Sequence, residues 1–520
     1  MATSTVAYAD PSCSPAPPVG CETWVARYDN PSGEANSHAG SAEGGLATVI
    51  SPDSATVYVT GQSPADNGNP DFTTFAYDAS SGTQRWMTRY DSQFHGVDIA
   101  YAIAVSPDGS RVYVTGSSAD TGNSDPYTDP IAIATVAYDA ATGTPLWASR
   151  YDPISGQGAG FSTSVAVSPD GHHVYVAGGS AQPSLAPDAL VISYAAESGQ
   201  QQWVTRESAG DGLASAFTAV RTSGDGSRLY VTGYSQANDG TGFLTFVTSS
   251  IDAGGGALLW TAKYESPNGD SDATALGLSP DGTRLFVTGE STGSGTSTDY
   301  LTLSYDAASG AQRWQAGYDG NADIDKATAL AVAPDGSRVY VTGFSSGNAT
   351  GTDYATLAYD AASGTQLWVT RYNGPADASD EAYAIALSPG GTVVYVTGHS
   401  TNVSTSTPKG ASYATVAYDS RLGLQRWEAR YNVHTPAPVS TTFSGDTAYA
   451  IAASPDGSRV IVTGISTSLT TTTDYDFATV AYDTSGTDSP ATPVPEVPAV
   501  AAFAVIGLGV VALRRLRRWS

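Results

Sequence analysis

Apolar residues in this chain come in short runs, each closed by a cluster of turn residues. Tyr101-Ala-Ile-Ala-Val105 is followed by Ser106-Pro-Asp-Gly109, and then by Val112-Tyr-Val-Thr-Gly116. β-Branched and aromatic residues bounded by Pro-Asp-Gly and Ser-Gly read as strands, because such side chains suit a pleated surface and those turns reverse the chain. The first strand of each unit alternates Ala with Ile, Val or Leu, as at Ala384-Ile-Ala-Leu387. Small residues of this kind suit strands crowded around a common axis.

Two phrases alternate along the chain. The first, Tyr101 to Gly116, returns around Pro52, Pro169, Gly224, Pro280, Pro334, Pro389 and Pro455. The second, Asp353-Tyr-Ala-Thr-Leu-Ala-Tyr-Asp-Ala-Ala-Ser-Gly-Thr-Gln-Leu-Trp-Val-Thr-Arg-Tyr372, recurs with tryptophans 86, 147, 203, 260, 314, 368 and 427. From Trp24 to Trp427 seven intervals span 403 residues, a mean period of about 58. Four apolar runs in such a period predict the four-stranded blade of a β-propeller. Eight units carry the first phrase, but the last has no Trp strand after it. Conversely, Glu22-Thr-Trp-Val-Ala-Arg-Tyr28 is a Trp strand with no blade before it. The N-terminal strand is therefore expected to complete the last blade and remove two open edges. An open β-solenoid, the alternative, would not need complementary ends.

The expected fold is all-β: an eight-bladed propeller closed by an N-terminal strand, then a linker and one C-terminal transmembrane helix. The expected organisation is an N-terminal segment 1–21, the propeller over 22–486, a Pro/Ser/Thr linker over 487–496 and a tail over 497–520.

Composition narrows the function. Of 520 residues 41% are hydrophobic, so a core can form, and 14% are charged, which argues against a long solvated helical protein. There are 23 Lys plus Arg against 50 Asp plus Glu. Nucleic acid as a partner is excluded by that balance, since binding it needs a basic surface. Two cysteines and six histidines leave little material for a zinc or haem site.

The motif Ala137-Tyr-Asp139, Thr142-Gly143, Trp147 resembles the tryptophan-docking repeat of quinoprotein (PQQ-type) propellers. Asp325-Lys-Ala-Thr-Ala-Leu-Ala-Val332 with Val339-Tyr-Val-Thr-Gly343 resembles the bacterial SBBP β-propeller repeat. The Ser-Pro-Asp-Gly and Val-Tyr-Val-Thr phrases also resemble the YVTN type. Together these resemblances cover nearly all of residues 22–486, and they imply a fold without a common chemistry.

Blade topology sorts the loops onto two faces. The first-to-second turns (Ser-Pro-Asp-Gly) and third-to-fourth turns (Asp-Ala-Ala-Ser-Gly) are short and uniform, so their face is scaffold. The connections 117–129, 152–161, 399–412 and 431–446 vary, and variable loops on a rigid ring are where recognition is expected. Gly289-Glu-Ser-Thr-Gly293 and Gly343-Phe-Ser-Ser-Gly347 match a nucleophile-elbow pattern, but both belong to the repeated Val-Thr-Gly-x-Ser phrase with no helix following. His172-His173 occupies a scaffold turn, where exposure is expected rather than metal binding. A quinoprotein dehydrogenase would imply adjacent cysteines and basic groups for its cofactor; this chain has no vicinal cysteines and three lysines, Lys263, Lys326 and Lys409. The expected role is a cell-surface binding or structural module that docks a surface protein or polysaccharide. The alternative is a propeller enzyme, a quinoprotein-like dehydrogenase or a lactonase-type hydrolase. No catalytic set is expected.

The acids Asp98, Asp272, Asp323, Asp325, Asp377, Asp380 and Asp446 lead into the inner strands and are expected to gather around the channel mouth. Asp319, Asn321, Asp323 and Asp325 alternate as oxygen donors and form a candidate calcium site, although Ile324 stands where an EF-hand loop has Gly. No other cofactor is expected.

The ends carry address signals. Val497 to Leu513, including Phe503, is apolar throughout, and Arg514, Arg515, Arg517 and Arg518 follow. Seventeen residues at 1.5 Å each are near the lower limit for spanning about 30 Å of hydrocarbon. By the positive-inside rule the arginines stay cytoplasmic and the propeller lies outside. Pro493-Val-Pro-Glu-Val-Pro498 before this helix resembles a bacterial PEP-CTERM sorting signal, with Val497 in place of the second proline of Pro-Glu-Pro. Ala7-Tyr8-Ala9 reads like the cleavage site of an export signal. Cys13 and Cys21 are expected to close a small disulfide loop outside the cell.

Overall fold

The computed structural model describes residues 19–485 apart from 30–42, 66–67, 120–130, 153–158, 182–185, 211, 294–296, 321–322, 348–350, 403–409, 433–444 and 468–474. Thirty-two strands among the described residues form eight antiparallel blades of four. Blades 1 to 7 span 44–90, 98–151, 159–207, 215–264, 271–318, 325–372 and 380–431; blade 8 combines 447–483 with Glu22–Tyr28. The N-terminal strand pairs antiparallel with the last one, from Glu22 opposite Tyr482 to Tyr28 opposite Phe477. Blades 2 and 3 also share one parallel bridge, Ala159 to Ile131.

Each inner strand carries a β-bulge, between Ala100 and Ala102 in blade 2 and between Ala327 and Ala329 in blade 6. The bulge explains the invariant glycine of the Val-Thr-Gly phrase. A Cβ on Gly116 would stand 1.9 Å from the Ile99 carbonyl oxygen, and one on Gly343 1.9 Å from that of Lys326. Nothing larger than hydrogen fits there. Next to that glycine, buried threonines of the second and third strands pair by their hydroxyls, as Thr115 with Thr135 at 3.1 Å and Thr342 with Thr356 at 2.9 Å.

The tryptophans lock blades together. Trp86 donates its Nε1–H to the Ala140 carbonyl at 3.0 Å, and Trp314 to that of Ala361 at 3.1 Å. Each acceptor lies in the third-to-fourth turn of the next blade. The indole also lies flat against that turn's glycine: a Cβ on Gly143 would come within 2.6 Å of Trp86. Eight buried clusters result, each straddling one seam between neighbouring blades, and the cluster of Trp24, Tyr28, Ile50, Phe75 and Phe477 joins blade 8 to blade 1. The core is thus a ring of seams, which makes closure the main structural requirement.

Cys21 is disulfide-bonded; Cys13 lies outside the described residues. The expected anchor, with Val497, Phe503, Leu513 and its four arginines, also lies outside them. Among the described residues no helix is long and apolar enough to cross a membrane.

Candidate functional site

On the scaffold face every turn satisfies itself. In seven of the eight first-to-second turns a serine or threonine hydroxyl and a backbone amide converge on one aspartate, as Ser223 Oγ on Asp225 at 2.6 Å and the Ser227 amide at 3.0 Å. These hydrogen bonds hold the Asp225 carboxyl down at about 2. His172 lies in such a turn, where its amide donates to Asp170 at 3.0 Å. This face has little left to offer a ligand.

The opposite face is framed by a row of polar residues across each blade. In several blades the register puts an inner-strand acid opposite a second-strand serine, and that serine opposite a third-strand residue that is often Asp: Asp325, Ser345 and Asp353 in blade 6. An outer-strand arginine from the Trp-x-x-Arg-Tyr phrase then clamps the row. Arg371 donates to Ser345 Oγ, to the carbonyls of Ser345 at 2.7 Å and Ser346 at 3.0 Å, and to Asp353 Oδ2 at 2.9 Å. Its Nη1 also reaches Tyr318 Oη of the preceding blade at 3.4 Å. Arg27 repeats the pattern with Ser466, Asp476 and Tyr431, and Arg430 with Ser400 and Tyr372. Ionised partners make these hydrogen bonds strong, and burial keeps them from being screened. The serine of the apparent nucleophile elbow at Ser345 is therefore an arginine ligand.

The inner-strand acids differ from expectation. Asp98, Asp272, Asp325, Asp380 and Asp446 are buried, and only Asp323 and Asp377 are exposed. Instead of gathering at a channel mouth, Asp98 accepts the Ser92 amide at 2.8 Å, Asp325 that of Gly320 at 2.8 Å and Asp446 that of Thr467 at 2.7 Å. The physical reason is that the loop entering each blade leaves amides unpaired, and a buried carboxylate one strand away satisfies them.

Of the four residues read as a calcium loop, the structure brings Asp319 and Asp325 together. They join Asp299, from the third strand of blade 5, with ligand atoms all within 4.8 Å of one another. Asp323 is exposed and not among them, and Asn321 lies outside the described residues. Two equivalent trios occur at other seams: Asp29, Glu43 and Asp476, and Asp71, Asp91 and Asp98. Spacing along one loop could not reveal Asp299. The register of the repeats could.

The innermost strands carry an asymmetric ring at the bulge position. Blades 3 to 6 have Thr163, Thr218, Thr274 and Thr328, which donate across the seams to the carbonyls of Phe217, Ala273, Ala327 and Ala382 at 2.8 to 3.0 Å. Blades 7 and 8 have Tyr383 and Tyr449, with ring centroids 5.9 Å apart. Tyr383 Oη donates to Glu381 Oε2 at 2.8 Å and lies 3.1 Å from His399 Nδ1. Having given its one proton to Glu381, the phenol accepts from His399, which sets the imidazole tautomer. Burial lowers the pKa of His399 and raises that of Tyr383. The set offers an aromatic surface beside a fixed donor and acceptor.

A family profile described as outer membrane protein assembly factor BamB (PQQ_2) matches residues 22–182 and 245–476, three quarters of the chain. No curated protein matches in sequence. Among solved structures, Sqt1 from Chaetomium thermophilum is 12% identical with a TM-score of 0.54, covering 86% of this chain and 97% of that one. Quinohemoprotein alcohol dehydrogenase from Comamonas testosteroni is 15% identical with a TM-score of 0.50, covering 88% and 76%. The C-terminal WD40 domain of Sif2 is 12% identical with a TM-score of 0.50, covering 85% and 96%. At these identities the likeness is one of fold.

Proposed function

Given that this chain belongs to the PQQ_2 family described by the outer membrane protein assembly factor BamB, we propose that it is an extracytoplasmic binding propeller whose variable face docks a protein of the cell surface. The observation that supports this most is the contrast between the faces. One is made of uniform turns that satisfy their own polar groups. The other carries loops of unequal length on an arginine-clamped frame, and Phe243 and Ile324 are exposed on those loops. Exposed apolar groups on a rigid, water-accessible frame are what a protein partner covers. The apolar stretch 497–513 and the arginines after it support anchoring in the membrane with the propeller outside, and the Pro-Glu motif supports sorting of the PEP-CTERM type.

The test is capture of a partner from cell-envelope extract by residues 10–486. A specific partner is expected to be lost with Phe243→Ser combined with Ile324→Ser. It should be retained with Leu422→Ser, which alters a still more exposed residue on the scaffold side. Equal loss in both proteins, or no loss in either, would remove the proposal.

A second reading, a propeller hydrolase of lactonase type, draws on Glu381, Tyr383 and His399, which provide an acid–base pair beside an aromatic surface. Lactone hydrolysis abolished by His399→Gln in a stably folded protein would favour it.

A further inference from the structure

We infer that the seam between blades 5 and 6 holds a divalent cation, most suited to calcium, bound by Asp299, Asp319 and Asp325 in the place that an arginine fills elsewhere in the ring. The repeat itself provides the comparison. Each acidic trio combines a third-strand acid, the acid just after the outer strand and the acid that opens the next blade. At the seam of blades 8 and 1 the blade's own outer strand supplies Arg27, 2.6 Å from Asp476. At the seam of blades 1 and 2 it supplies Arg89, 3.7 Å from Asp71. In blade 5 the same register position is Gly317. Arg27 pairs with Ala478, two residues after Asp476, Arg89 with Thr73, two after Asp71, and Gly317 with Leu301, two after Asp299. The outer-strand phrase reads Trp314-Gln-Ala-Gly-Tyr318 where seven others have Arg or Lys before the last residue.

Removing the guanidinium leaves a specific deficit. Asp325 has no exposed surface; its Oδ2 takes the Gly320 amide, and its Oδ1 has no hydrogen-bond partner among the described residues. Asp299 Oδ1 is buried without a partner among the described residues, as Asp71 Oδ1 is beside Arg89, so Asp325 is the acid that sets this seam apart. Among the described residues the cation acting on Asp325 is Arg371 of blade 6, which is committed to Ser345, Ser346 and Asp353. The other two trios have a comparable arginine on that side, Arg89 on Ser63 and Arg150 on Ser118, in addition to their own. A buried acid is stabilised in its charged form only by a cation or hydrogen bonds. The ligand atoms of the trio lie within 4.8 Å of one another, close enough for one ion to touch all three. An all-carboxylate set at a blade seam suits calcium, which accepts irregular oxygen coordination, better than magnesium, which demands near-octahedral geometry and keeps its waters.

The experiment is calorimetric titration of chelator-stripped protein with calcium chloride, and separately with magnesium chloride, at constant ionic strength, alongside thermal melting. One calcium site is expected, bound at least tenfold more tightly than magnesium and raising the melting temperature. Asp299→Asn should weaken calcium binding at least tenfold. Gly317→Arg should abolish it while keeping the protein folded, because a Cβ at this glycine meets only the Tyr300 carbonyl at 3.7 Å. Its melting temperature should no longer respond to calcium and should match or exceed that of the stripped original. Asp323→Asn should bind calcium normally. No stoichiometric binding, or binding that survives both Asp299→Asn and Gly317→Arg, would overturn the inference.

Discussion

The indole of Trp427 lies against Gly20, whose Cβ, if it had one, would stand 2.7 Å from the ring. Seven other tryptophans rest on the third-to-fourth turn of the next blade, each donating to a carbonyl there. In blade 8 that turn is made from the two ends of the propeller. Gly20 donates its amide to the Asp483 carbonyl at 2.8 Å, and Asp483 donates to that of Cys21 at 2.8 Å. Trp427 thus packs on the joint that closes the ring, and its Nε1 has no partner among the described residues.

Closure can be measured. Protein starting at residue 30 lacks this joint, the strand Glu22–Tyr28 and the buried Trp24. Losing Trp24 alone should cost about 3 kcal/mol. It should melt well below protein starting at residue 10, or aggregate through the exposed edge. Gly20→Val should lower the melting temperature in the same direction, since Gly20 sits at φ +86° beneath the indole. Equal melting temperatures would show that the ring closes another way.

The arginine clamps should contribute unequally. Arg371→Leu strands the buried Asp353 beside Asp325, and breaking a buried pair by removing one partner costs about 3–5 kcal/mol. Arg85→Ala breaks an exposed pair with Asp78, 2.8 Å apart, and should cost less than about 1 kcal/mol. Denaturant midpoints of the two variants, at equal slopes, check the difference. Similar losses would mean that the clamp is incidental to stability.

Much of this architecture is legible without coordinates because it repeats. Strand pattern, blade number and the unpaired Trp24 strand follow from periodicity and counting. The Val-Thr-Gly glycine is visible as a repeated letter, but its cause, a bulge that brings a carbonyl against it, lies on another strand. The same limit applies to the acids. Asp98 and Asp325 look like surface loop residues, because local sequence does not show that the amides of Ser92 and Gly320 need a buried acceptor. The trio of Asp299, Asp319 and Asp325 crosses from the third strand of one blade to the first of the next. Only aligned repeats, with Gly317 the odd member, point to it.

The address proposed for the chain has its own test. A reporter fused after Ser520 should lie in the cytoplasm while residues 19–485 are cut by protease added from outside. Neutral replacements of Arg514, Arg515, Arg517 and Arg518 should weaken retention or mix the orientation. Recovery of the intact protein as soluble cytosolic material would rule out the anchor.

Stability should pass through a maximum at mildly acidic pH. Burial, with Asp91 and Asp98 nearby, pushes the Asp71 carboxyl up to about 7 despite Arg89, and burial pushes Asp98 up to about 6. Their ordinary value is near 3.8. Between pH 4 and 7 the folded protein therefore holds protons on these groups that the unfolded chain has lost, and stability falls as pH rises through this window. The scaffold-turn carboxylates act in the opposite sense. Hydrogen bonds lower Asp225 to about 2, and they also lower Asp108, Asp170, Asp281 and Asp360. Their stabilisation is full above about pH 4 and is lost as pH falls through the lowered values. Each of these turns is exposed and contributes little alone, but the turns recur around the ring, so the acid limb should be steep. Melting temperatures measured with chelator present, so that calcium does not enter the linkage, should peak near pH 4 to 5. Asp71→Asn should flatten the limb above the peak and leave the acid limb unchanged. A melting temperature that rises steadily from pH 4 to pH 8 would show that Asp71 is ionised and fully compensated by Arg89 in the folded protein.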